Sequence, residues 1–482
     1  MSSVRNELTK GIFWIAVAKY SGIAIQLLIS AILARRFSPA AFGTVSVAMV
    51  VLYFLEILAD IGIGPAVVQY KQLTKSHLNS LFTLTVYMGI LLTATLYLLS
   101  GLISSYYADI ALERVCQVMT LVVLFNALNV VPNALMRKDK RFRAIAFRTL
   151  FFRVISGAIA VWGAFHGWGI YALLVTPVLT AIGVFMVNYY FYPLQFVLRI
   201  SREAVNMIAS FSFFQFAFSF CNYFSRNLDK LIIGKYFSMT QLGYYDKSYH
   251  LMMLPLQNVS FVIEPVLHPI LSSLQDNKHE LKEKNQKLAV IISNISFPIG
   301  LMLFFCGGEL IKIVYGGQWD AAIPVFRILA LSLPLQMILS TSGPLYQAAG
   351  KTNHMFFVGL LNTSCTVTGF FVAAHLGNSI EAMAWAWNIT LLINFLNSYL
   401  ILHKLSLKES VLSFYKALIP QCVNSFVVLV VMTLLSSVIQ IDNVFVSLVF
   451  KASIVLLLTL MMAIFLNQYN PKLILDLLLR RK

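Results

Sequence analysis

Residues 41 to 64 read AFGTVSVAMVVLYFLEILADIGIG, an apolar stretch that carries only two carboxylates, Glu56 and Asp60. A helix needs about 20 predominantly apolar residues to cross the hydrocarbon core of a bilayer. Stretches of this kind recur along the 482-residue chain. Backbone polar groups cannot stay unpaired in lipid, and the strands of a membrane barrel would be only about ten residues long and alternating. These stretches therefore predict transmembrane α-helices.

The composition of the whole chain agrees with this prediction. Apolar residues make up 59% of it, charged residues 11%, and the mean hydropathy is +0.79, which lies outside the range of water-soluble globular proteins. We predict an all-α, polytopic membrane protein with about 14 transmembrane helices. The predicted spans are 11–34, 41–64, 78–100, 114–135, 149–166, 169–191, 208–233, 241–267, 289–307, 321–349, 355–376, 380–402, 414–437 and 446–467.

Lys and Arg residues are unevenly distributed between the two sets of loops. With the N-terminus taken as cytoplasmic, the segments on that side hold 24 of the 36 Lys and Arg residues, the opposite set holds 7, and 5 fall inside spans. The richest segment is 136–148, which includes Arg148. The positive-inside rule therefore predicts that both termini are cytoplasmic. Because the net charge of +17 is spread over these short segments, it reports membrane topology, and we expect no nucleic-acid partner.

The loops between the predicted spans are too short to form a soluble catalytic domain. Residues 349–352 read AGKT and end like a phosphate-binding loop, but Leu345 stands where that motif requires Gly, and no strand precedes it. The His and Cys residues do not have the spacing of metal ligands. We therefore expect neither an enzyme nor a bound cofactor or metal, and any function must be built from the helices.

A short motif occurs twice in the chain. Residues 37–43 read FSPAAFG and residues 237–243 read FSMTQLG, so that Phe-Ser, three residues, an apolar residue and Gly recur at an offset of 200. The two copies follow the first and seventh spans, as a duplication of six helices in the same orientation requires. We predict two pseudo-symmetric six-helix lobes around a central cleft, residues 1–206 and 207–405, and a C-terminal helix pair within 406–482.

Polar and ionisable residues lie inside several predicted spans. A charge near the bilayer centre costs about 2.5 to 3.5 kcal/mol and usually faces the bundle interior or a hydrated cavity. Lys19 aligns with Gln26 in the first span, and Glu264 belongs to a polar face of the eighth. In the seventh span, residues at steps of three or four share one helical face: Ser212, Gln215, Ser219, Asn222, Arg226 and Asp229. We expect these faces to line the cleft.

Several of these residues also have a structural interpretation that the sequence leaves open. Arg226, Asp229 and Lys230 could form a local ion pair, with the lysine reaching the membrane surface. Glu56 and Asp60 lie four residues apart on one face and could be hydrogen-bond partners of neighbouring helices instead of carrying protons.

Five stretches resemble a known family. They read LARRFSP (33–39, followed by Phe42-Gly43), ADIGIG (59–64), RNLDK (226–230), LGYYD (242–246) and YGGQW (315–319). Together they resemble the polysaccharide exporter family of Wzx-type O-antigen and colanic acid flippases, over roughly residues 5–410. That family belongs to a superfamily with the multidrug and toxic-compound antiporters and the flippases of lipid-linked peptidoglycan precursors. The resemblance implies two six-helix lobes that form a V-shaped cleft.

The resemblance also implies a substrate and a location. The substrate is undecaprenyl pyrophosphate carrying an oligosaccharide repeat unit, which moves from the cytoplasmic to the periplasmic leaflet of the bacterial inner membrane. Membrane lipid and the polysaccharide polymerase and chain-length machinery are the implied partners. A pyrophosphate in a cleft of low dielectric constant needs cations, and a sugar needs hydroxyl and amide partners. These requirements match the polar faces of the spans.

We assign roles on this basis and expect alternating access by rocking of the lobes. The expected substrate-binding residues are Lys19, Gln26, Arg153, Gln215, Asn222, Arg226 and Lys230. The residues expected to couple export to H⁺ or Na⁺ are Glu56, Asp60, Asp229 and Glu264. Arg153 lies near the cytoplasmic edge of its span, so that its guanidinium could reach the membrane surface instead.

Two rival functions stay open. A drug or cation antiporter of the same superfamily would favour an acidic cavity, whereas the spans of this chain hold comparable numbers of bases and acids. A membrane-embedded polysaccharide polymerase or ligase would be expected to have a long periplasmic loop, which the predicted topology does not contain.

Overall fold

The computed structural model describes residues 20–272, 277–439 and 441–465, without the side chains of residues 218, 225, 259–272 and 352. Helices make up most of these residues, and no strand occurs among them. The first eight helices are α1 (20–36), α2 (Pro39–Asp60), α3 (Ile63–Gln69), α4 (Lys75–Tyr107), α5 (Ile110–Lys138), α6 (Phe142–Phe165), α7 (Tyr171–Phe191) and α8 (Arg202–Tyr236). The next ten are α9 (Met239–Ser272), α10 (Lys278–Phe305), α11 (Gly307–Val314), α12 (Ile323–Ala330), α13 (Leu333–Leu339), α14 (Ser342–Ala348), α15 (Thr352–Leu376), α16 (Ile380–Ile401), α17 (Leu412–Val438) and α18 (Val444–Phe465).

Among the described residues, 11 helices are long and apolar enough to cross a membrane, or 12 spans if the bent pair Gly317–Ala330 and Leu333–Ala348 is counted as one. The prediction of an all-α, multi-pass membrane protein is confirmed. The predicted number of 14 spans stays a prediction, because the spans were counted only over the described residues.

The chain divides into two compact units, unit 1 (Met1–Gly243) and unit 2 (Tyr244–Lys482). In unit 1, α5 has the central position and packs against α2, α3, α4 and α7. α8 also belongs to unit 1, where it packs against α2, α3 and α4. The predicted lobe boundaries, after residues 206 and 405, stay a prediction.

The segment that leads from α7 into α8 is fixed to the first turns of α4. The backbone amides of Gln195 and Val197 donate to the side chains of Asn79 (3.0 Å) and Thr83 (2.9 Å). A third amide, that of Ser201, donates to the hydroxyl of Ser80. Because polar side chains of α4 satisfy the backbone of this segment, the start of α8 has a defined position in unit 1.

The repeated motif has the same local structure in both copies. Ser38 is the N-cap of α2 and accepts from the amide of Ala41 (3.4 Å), and Ser238 accepts in the same way from the amide of Gln241 (3.2 Å). A Cβ atom on Gly43 would overlap the carbonyl of Met239, and a Cβ on Gly243 would overlap the carbonyl of Pro39. The serines therefore start two helices, and the glycines allow those helices to touch backbone to backbone.

Two predicted spans are broken in the structure. The second ends at Ile61 and Gly62, which both have left-handed backbone conformations (φ 40° and 74°) and separate α2 from α3. The tenth was expected to be continuous, but the segment consists of a 3₁₀ turn (Gly317–Ala322) followed by the short helices α12, α13 and α14. Its prolines explain the breaks, because a proline lacks the amide that a helix interior needs: Pro324, Pro334 and Pro344.

In unit 2, α10 packs against α12, α13, α17 and α18. The C-terminal pair α17 and α18 shares a buried apolar cluster with α10 that includes Leu301, Val428 and Val455. A buried ion pair adds to this contact and is described next.

Glu309 of α11 accepts hydrogen bonds from Lys451 Nζ (2.5 Å) and Ser447 Oγ (2.6 Å) of α18. Only 8% of Glu309 is exposed. The two helices α17 and α18 are therefore an integral part of unit 2.

Candidate functional site

The polar face of α8 is the largest set of predicted site residues on one helix. α8 begins at the N-cap Ser201, whose hydroxyl accepts from the amide of Ala204 (3.3 Å), and continues without a break to Tyr236. Gln215 and Asn222 are seven residues apart, which is about two helical turns. They therefore lie on the same side of one unbroken helix, as predicted from their spacing.

Aromatic contacts fix the rotation of α8 about its axis. The hydroxyl of Tyr223 donates to the carbonyl of Val50 in α2 (2.7 Å). The ring of Phe54 lies 5.5 to 5.9 Å from the rings of Phe220, Tyr223 and Phe224. These contacts bury the aromatic face of α8 against α2, and edge and tilted ring arrangements of this kind are favourable.

The N-terminal part of the polar face rests on the break between α2 and α3. Ser212 Oγ donates to the carbonyl of Gly62 (3.3 Å). A Cβ atom on Gly62 would lie 2.6 Å from the Ser212 carbonyl oxygen and 3.1 Å from Gln215 Cβ. Gly62 thus satisfies both a left-handed backbone conformation and a close helix approach, which only glycine combines without strain.

Three side chains further along the same face, those of Gln215, Asn222 and Arg226, have no partner among the described residues. Gln215 and Asn222 are half-buried and Arg226 is exposed. Within the part of the chain that the structure describes, none of the three side chains makes a hydrogen bond or ion pair. A guanidinium and two amides in this state can donate to an anion and to hydroxyl groups.

The acidic residue next along α8 has a different environment. Asp229 is only 1% exposed and its Oδ1 accepts from the amide of Lys230 (2.8 Å), while the Lys230 side chain is half-buried. Arg226 is not paired with Asp229. The local ion pair considered from the sequence therefore does not include the arginine.

A second group of predicted residues lies where α6 meets α1. The guanidinium of Arg153 is half-buried and packs over Gly22, since a Cβ atom there would lie 2.8 Å from Arg153 Nη1. Gln26 follows Gly22 by one helical turn and is exposed. Arg153 and Gln26 have no hydrogen-bond partner among the described residues. The structure therefore brings Arg153 to the predicted polar face of α1, and Lys19 of that face lies outside the described residues.

The two carboxylates of the second span make contacts of a structural kind. The amide of Asn126 in α5 donates to Glu56 Oε1. Asp60 Oδ1 accepts from the backbone amide of Gly64 (2.7 Å) and so caps the start of α3 across the helix break. Glu264, the fourth predicted ion-coupling residue, has its side chain outside the described residues.

α5 carries a row of asparagines that the sequence reasoning missed. Asn126, Asn129 and Asn133 are spaced by three and four residues, which places them on one face of the helix. Asn129 Oδ1 accepts from Asn188 (2.6 Å). The partners of the three lie on three different helices: Glu56 on α2, Asn188 on α7 and Arg148 on α6. The spacing was the available signal, and the same test that identified the α8 face would have found it.

Arg148 is a correction to the predicted bounds of the loop 136–148. The sequence had counted it in a cytoplasmic loop, but it lies in the second turn of α6 and is only 6% exposed. Its Nη2 donates to Asn133 Oδ1 (2.8 Å), and its buried Nε and Nη1 have no partner among the described residues. A buried cation near a helix end cannot be distinguished by composition from one in a loop.

The described residues contain no group of three His, Cys, Asp or Glu side chains that could hold a metal ion. What unit 1 does present is a set of cationic and amide groups, on α8 and between α1 and α6, that have no side-chain partner in the part of the chain that the structure describes. Such groups can bind a phosphate-bearing, hydroxylated ligand by charge-assisted and neutral hydrogen bonds.

Comparisons with known proteins agree with a membrane carrier of polysaccharide metabolism. The model of a family described as polysaccharide biosynthesis protein matches residues 32–324. The chain is 24% identical over 410 residues to the lipopolysaccharide biosynthesis protein WzxC of Escherichia coli K12, covering 83% of this chain and 82% of that one. It is 23% identical over 389 residues to the succinoglycan biosynthesis transport protein ExoT of Rhizobium meliloti, with coverages of 78% and 76%.

The fold has a solved counterpart. The lipid II flippase MurJ in an inward closed conformation superposes with a TM-score of 0.76, covering 94% of this chain and 99% of that one at 16% identity. Because the family model covers more than half of the 482 residues, the chain belongs to the polysaccharide biosynthesis protein family of multi-pass membrane proteins.

Proposed function

We propose that this protein is a flippase for a lipid-linked oligosaccharide. Its substrate is undecaprenyl pyrophosphate carrying an oligosaccharide repeat unit, which it moves from the cytoplasmic to the periplasmic leaflet of the bacterial inner membrane, with both of its own termini in the cytoplasm. Membership of the polysaccharide biosynthesis family, the transport role in the name of ExoT and the MurJ fold support this proposal.

The observation that carries the proposal is that Gln215, Asn222 and Arg226 on the polar face of α8 have no side-chain partner among the described residues. A pyrophosphate cannot leave water for a medium of low dielectric constant unless cations and hydrogen-bond donors replace its hydration. Arg226 is exposed and has no partner among the described residues, and Asn222 and Gln215 precede it on the same face. The guanidinium can bind the phosphate oxygens while the amides bind sugar hydroxyls.

Arg153, which packs over Gly22 of α1 and has no side-chain partner among the described residues, supplies a second cation. Lys19, which lies outside the described residues, is a third proposed cation. The lipid tail stays in the bilayer while these groups hold the head group. We propose alternating access, in which the binding residues are open to one side of the membrane at a time.

The movement is coupled to an H⁺ or Na⁺ gradient. Glu56, Asp60, Asp229 and Glu264 are the proposed carriers. The contacts of Glu56 with Asn126 and of Asp60 with the Gly64 amide set a condition on this role, because these carboxylates must leave their partners in order to exchange an ion.

Deletion and complementation of the gene in its host test the proposal. Deletion is expected to remove the surface polysaccharide and to leave lipid-linked repeat units accumulated on the cytoplasmic side. Complementation with the wild type restores export, whereas Lys19→Ala or Arg226→Ala does not, although the protein level is unchanged.

Lys235→Ala is the matched control on the same helix. Lys235 already donates to the Tyr106 carbonyl (2.5 Å) and lies over the Tyr106 ring, so its loss should leave export intact. Wild-type export by both alanine variants would exclude the cationic role, and an unchanged surface polysaccharide after deletion would exclude the function itself.

A further inference from the structure

The turn that follows α16 in unit 2 has an unusual backbone conformation. Residues Leu402–Leu407 form a π-helical turn, which is rare in proteins and occurs frequently at functional sites. The turn is wider than an α-helical turn and ends at Lys408, whose φ of 58° is left-handed. His403 is the second residue of this turn, and its carbonyl accepts from the amide of Glu409 (2.9 Å).

His403 is completely buried, and neither of its ring nitrogens has a hydrogen-bond partner among the described residues. Asn285 of α10, which packs against the π turn, is in the same condition, since it is 0% exposed and both atoms of its amide are unpaired. Buried polar groups are nearly always paired, so that two such groups on contacting elements need an explanation.

On one side of these buried groups, ionic side chains lie between them and water. Lys282 lies one turn before Asn285 on α10, is 9% exposed and pairs with Glu409 (3.0 Å). Glu409 also contacts His279 (3.2 Å), which is exposed and lies 3.6 Å from Glu283. The Lys282–Glu409 pair thus separates the buried imidazole from an exposed cluster of titratable groups.

The other elements around His403 present aromatic rings and a second histidine. The rings of Tyr399 (α16) and Phe414 (α17) lie 6.4 and 5.2 Å from its ring. His354 of α15 is hydrogen-bonded to Ser406 Oγ (2.9 Å). Among the described groups, Lys282 and Glu409 are the charged side chains that act on His403 electrostatically.

We propose that His403 and Asn285 form a buried proton-binding site, which takes up a proton from the aqueous side when the Lys282–Glu409 pair separates. In the closed arrangement, an imidazolium would be buried beside a lysine with no acceptor for either N–H, so the neutral form is favoured. When the pair separates, water reaches the ring, a proton moves from water to a ring nitrogen, and the freed Glu409 carboxylate stabilises the charge. Proton uptake therefore favours the open arrangement.

The donor atoms select a proton over Na⁺. Sodium, like other hard cations, prefers several oxygen ligands, whereas this site offers two ring nitrogens and one amide next to an ammonium group. Assigning this proton as the coupling ion of export rests on the proposed function. The existence of the site does not.

Cysteine accessibility tests the site. In a chain whose five native cysteines are replaced by serine, Leu407→Cys places a thiol in the buried π turn, and Lys284→Cys gives an exposed reference on α10. We expect the ratio of their labelling rates by a membrane-impermeant maleimide to rise as the pH falls from 8 to 6. One extra proton in the open arrangement allows a rise of at most about tenfold per pH unit.

The dependence on His403 is the critical outcome. His403→Gln should remove the pH response of the ratio, and His354→Gln, the matched control, should preserve it. A ratio that does not change with pH, or one that rises equally in His403→Gln, would overturn the proposal. Should His403→Gln fail to fold, amide hydrogen exchange of residues 402–407 in the wild type decides the question. If the opening of the π turn, after correction for the intrinsic exchange rate, does not increase at low pH, the proposal is wrong.

These results are independent of the proposed function. A pH response that depends on His403, in a protein whose deletion leaves surface polysaccharide unchanged, would keep the proton site and reject the flippase. Loss of polysaccharide on deletion together with a pH-independent π turn would keep the flippase and reject the proton site.

Discussion

α5 and α8 carry polar residues at the same helical spacing but in opposite environments. On α5, Asn126, Asn129 and Asn133 each pair with a side chain of another helix. On α8, Asn222 and Arg226 pair with nothing among the described residues. An unpaired polar group away from water costs free energy, so the α8 residues need water or a ligand, whereas the α5 residues already stabilise the fold. The presence of a partner, and not the polarity of a residue, separates the two roles.

The largest expected effect concerns a buried ion pair, in which two charged side chains are paired as the asparagines of α5 are. Lys451→Met leaves the Glu309 carboxylate buried without its cation, and removing one member of a buried pair costs about 3 to 5 kcal/mol of unfolding free energy. The double variant Glu309→Gln with Lys451→Met should recover most of this loss, because no charge remains buried and the amide oxygen can still accept from Ser447. Unfolding in detergent measures both. A double variant as unstable as the single one would contradict the assignment.

Arg226→Ala tests the role of the α8 residues that have no partner among the described residues. Because a hydrogen bond to a charged group contributes about 1.5 to 3 kcal/mol, we expect the affinity of the purified protein in nanodiscs for undecaprenyl pyrophosphate to fall about 10- to 150-fold. The free energy of unfolding should change by less than about 0.5 kcal/mol, since no partner is lost. If Arg226→Ala instead destabilises the protein and binds normally, the arginine belongs with the structural residues of α5.

A matched pair of asparagines sharpens the comparison further. Asn129→Leu leaves the buried amide of Asn188 without its acceptor and should cost about 0.6 to 1.7 kcal/mol, the range for hydrogen bonds between membrane helices. Asn222→Leu on α8 should leave unfolding unchanged and reduce export. The two variants are compared by thermal unfolding and by surface polysaccharide. Equal losses of stability would remove the distinction between the helices.

The smallest effect concerns the Lys282–Glu409 pair of unit 2, in which the lysine is buried and the carboxylate is partly exposed. Hydrogen bonds from Lys282 and His279 hold the pKa of Glu409 below its usual value. The stabilisation is therefore complete above the unfolded pKa of about 4.3 and is lost as the pH falls through the lower folded value. Glu409→Gln should lower the unfolding temperature at pH 7 by less than Asn129→Leu does, because water reaches Glu409 and screens the interaction.

The difference between Glu409→Gln and the wild type should disappear only once the pH lies below the lowered folded pKa of Glu409, where the carboxylate is protonated in both states. A difference that persists in acid would mean that the loss comes from packing and not from the charge.

Much of the fold could be predicted because each apolar run has few alternatives in a membrane. Every predicted span overlaps a helix of the structure. The second and tenth spans show the limit of this method. Average hydropathy ignores Gly62 and the prolines of α12 to α14, although these residues break the hydrogen-bond ladder.

From the sequence, the candidate site could be predicted only as a set of polar helix faces. The spacing on α8 placed its polar residues on one side of a helix, and the structure shows that helix to be continuous, but Arg148 was counted in a loop although it is buried. The asparagines of α5 have the same kind of spacing as the polar residues of α8. A sequence pattern states which residues share a side, and it does not state what lies opposite them.

The sequence by itself determined that this is an all-α, multi-pass membrane protein with polar helix faces, since hydrophobic length and helical period are local properties. Only the tertiary structure decided which polar residues are paired. Asn126 and Glu56 are 70 positions apart, and Asn188 and Asn129 are 59 apart. Whether such residues meet depends on how the helices pack, which is the property that leaves Arg226 free among the described residues and holds Glu309 in a buried pair.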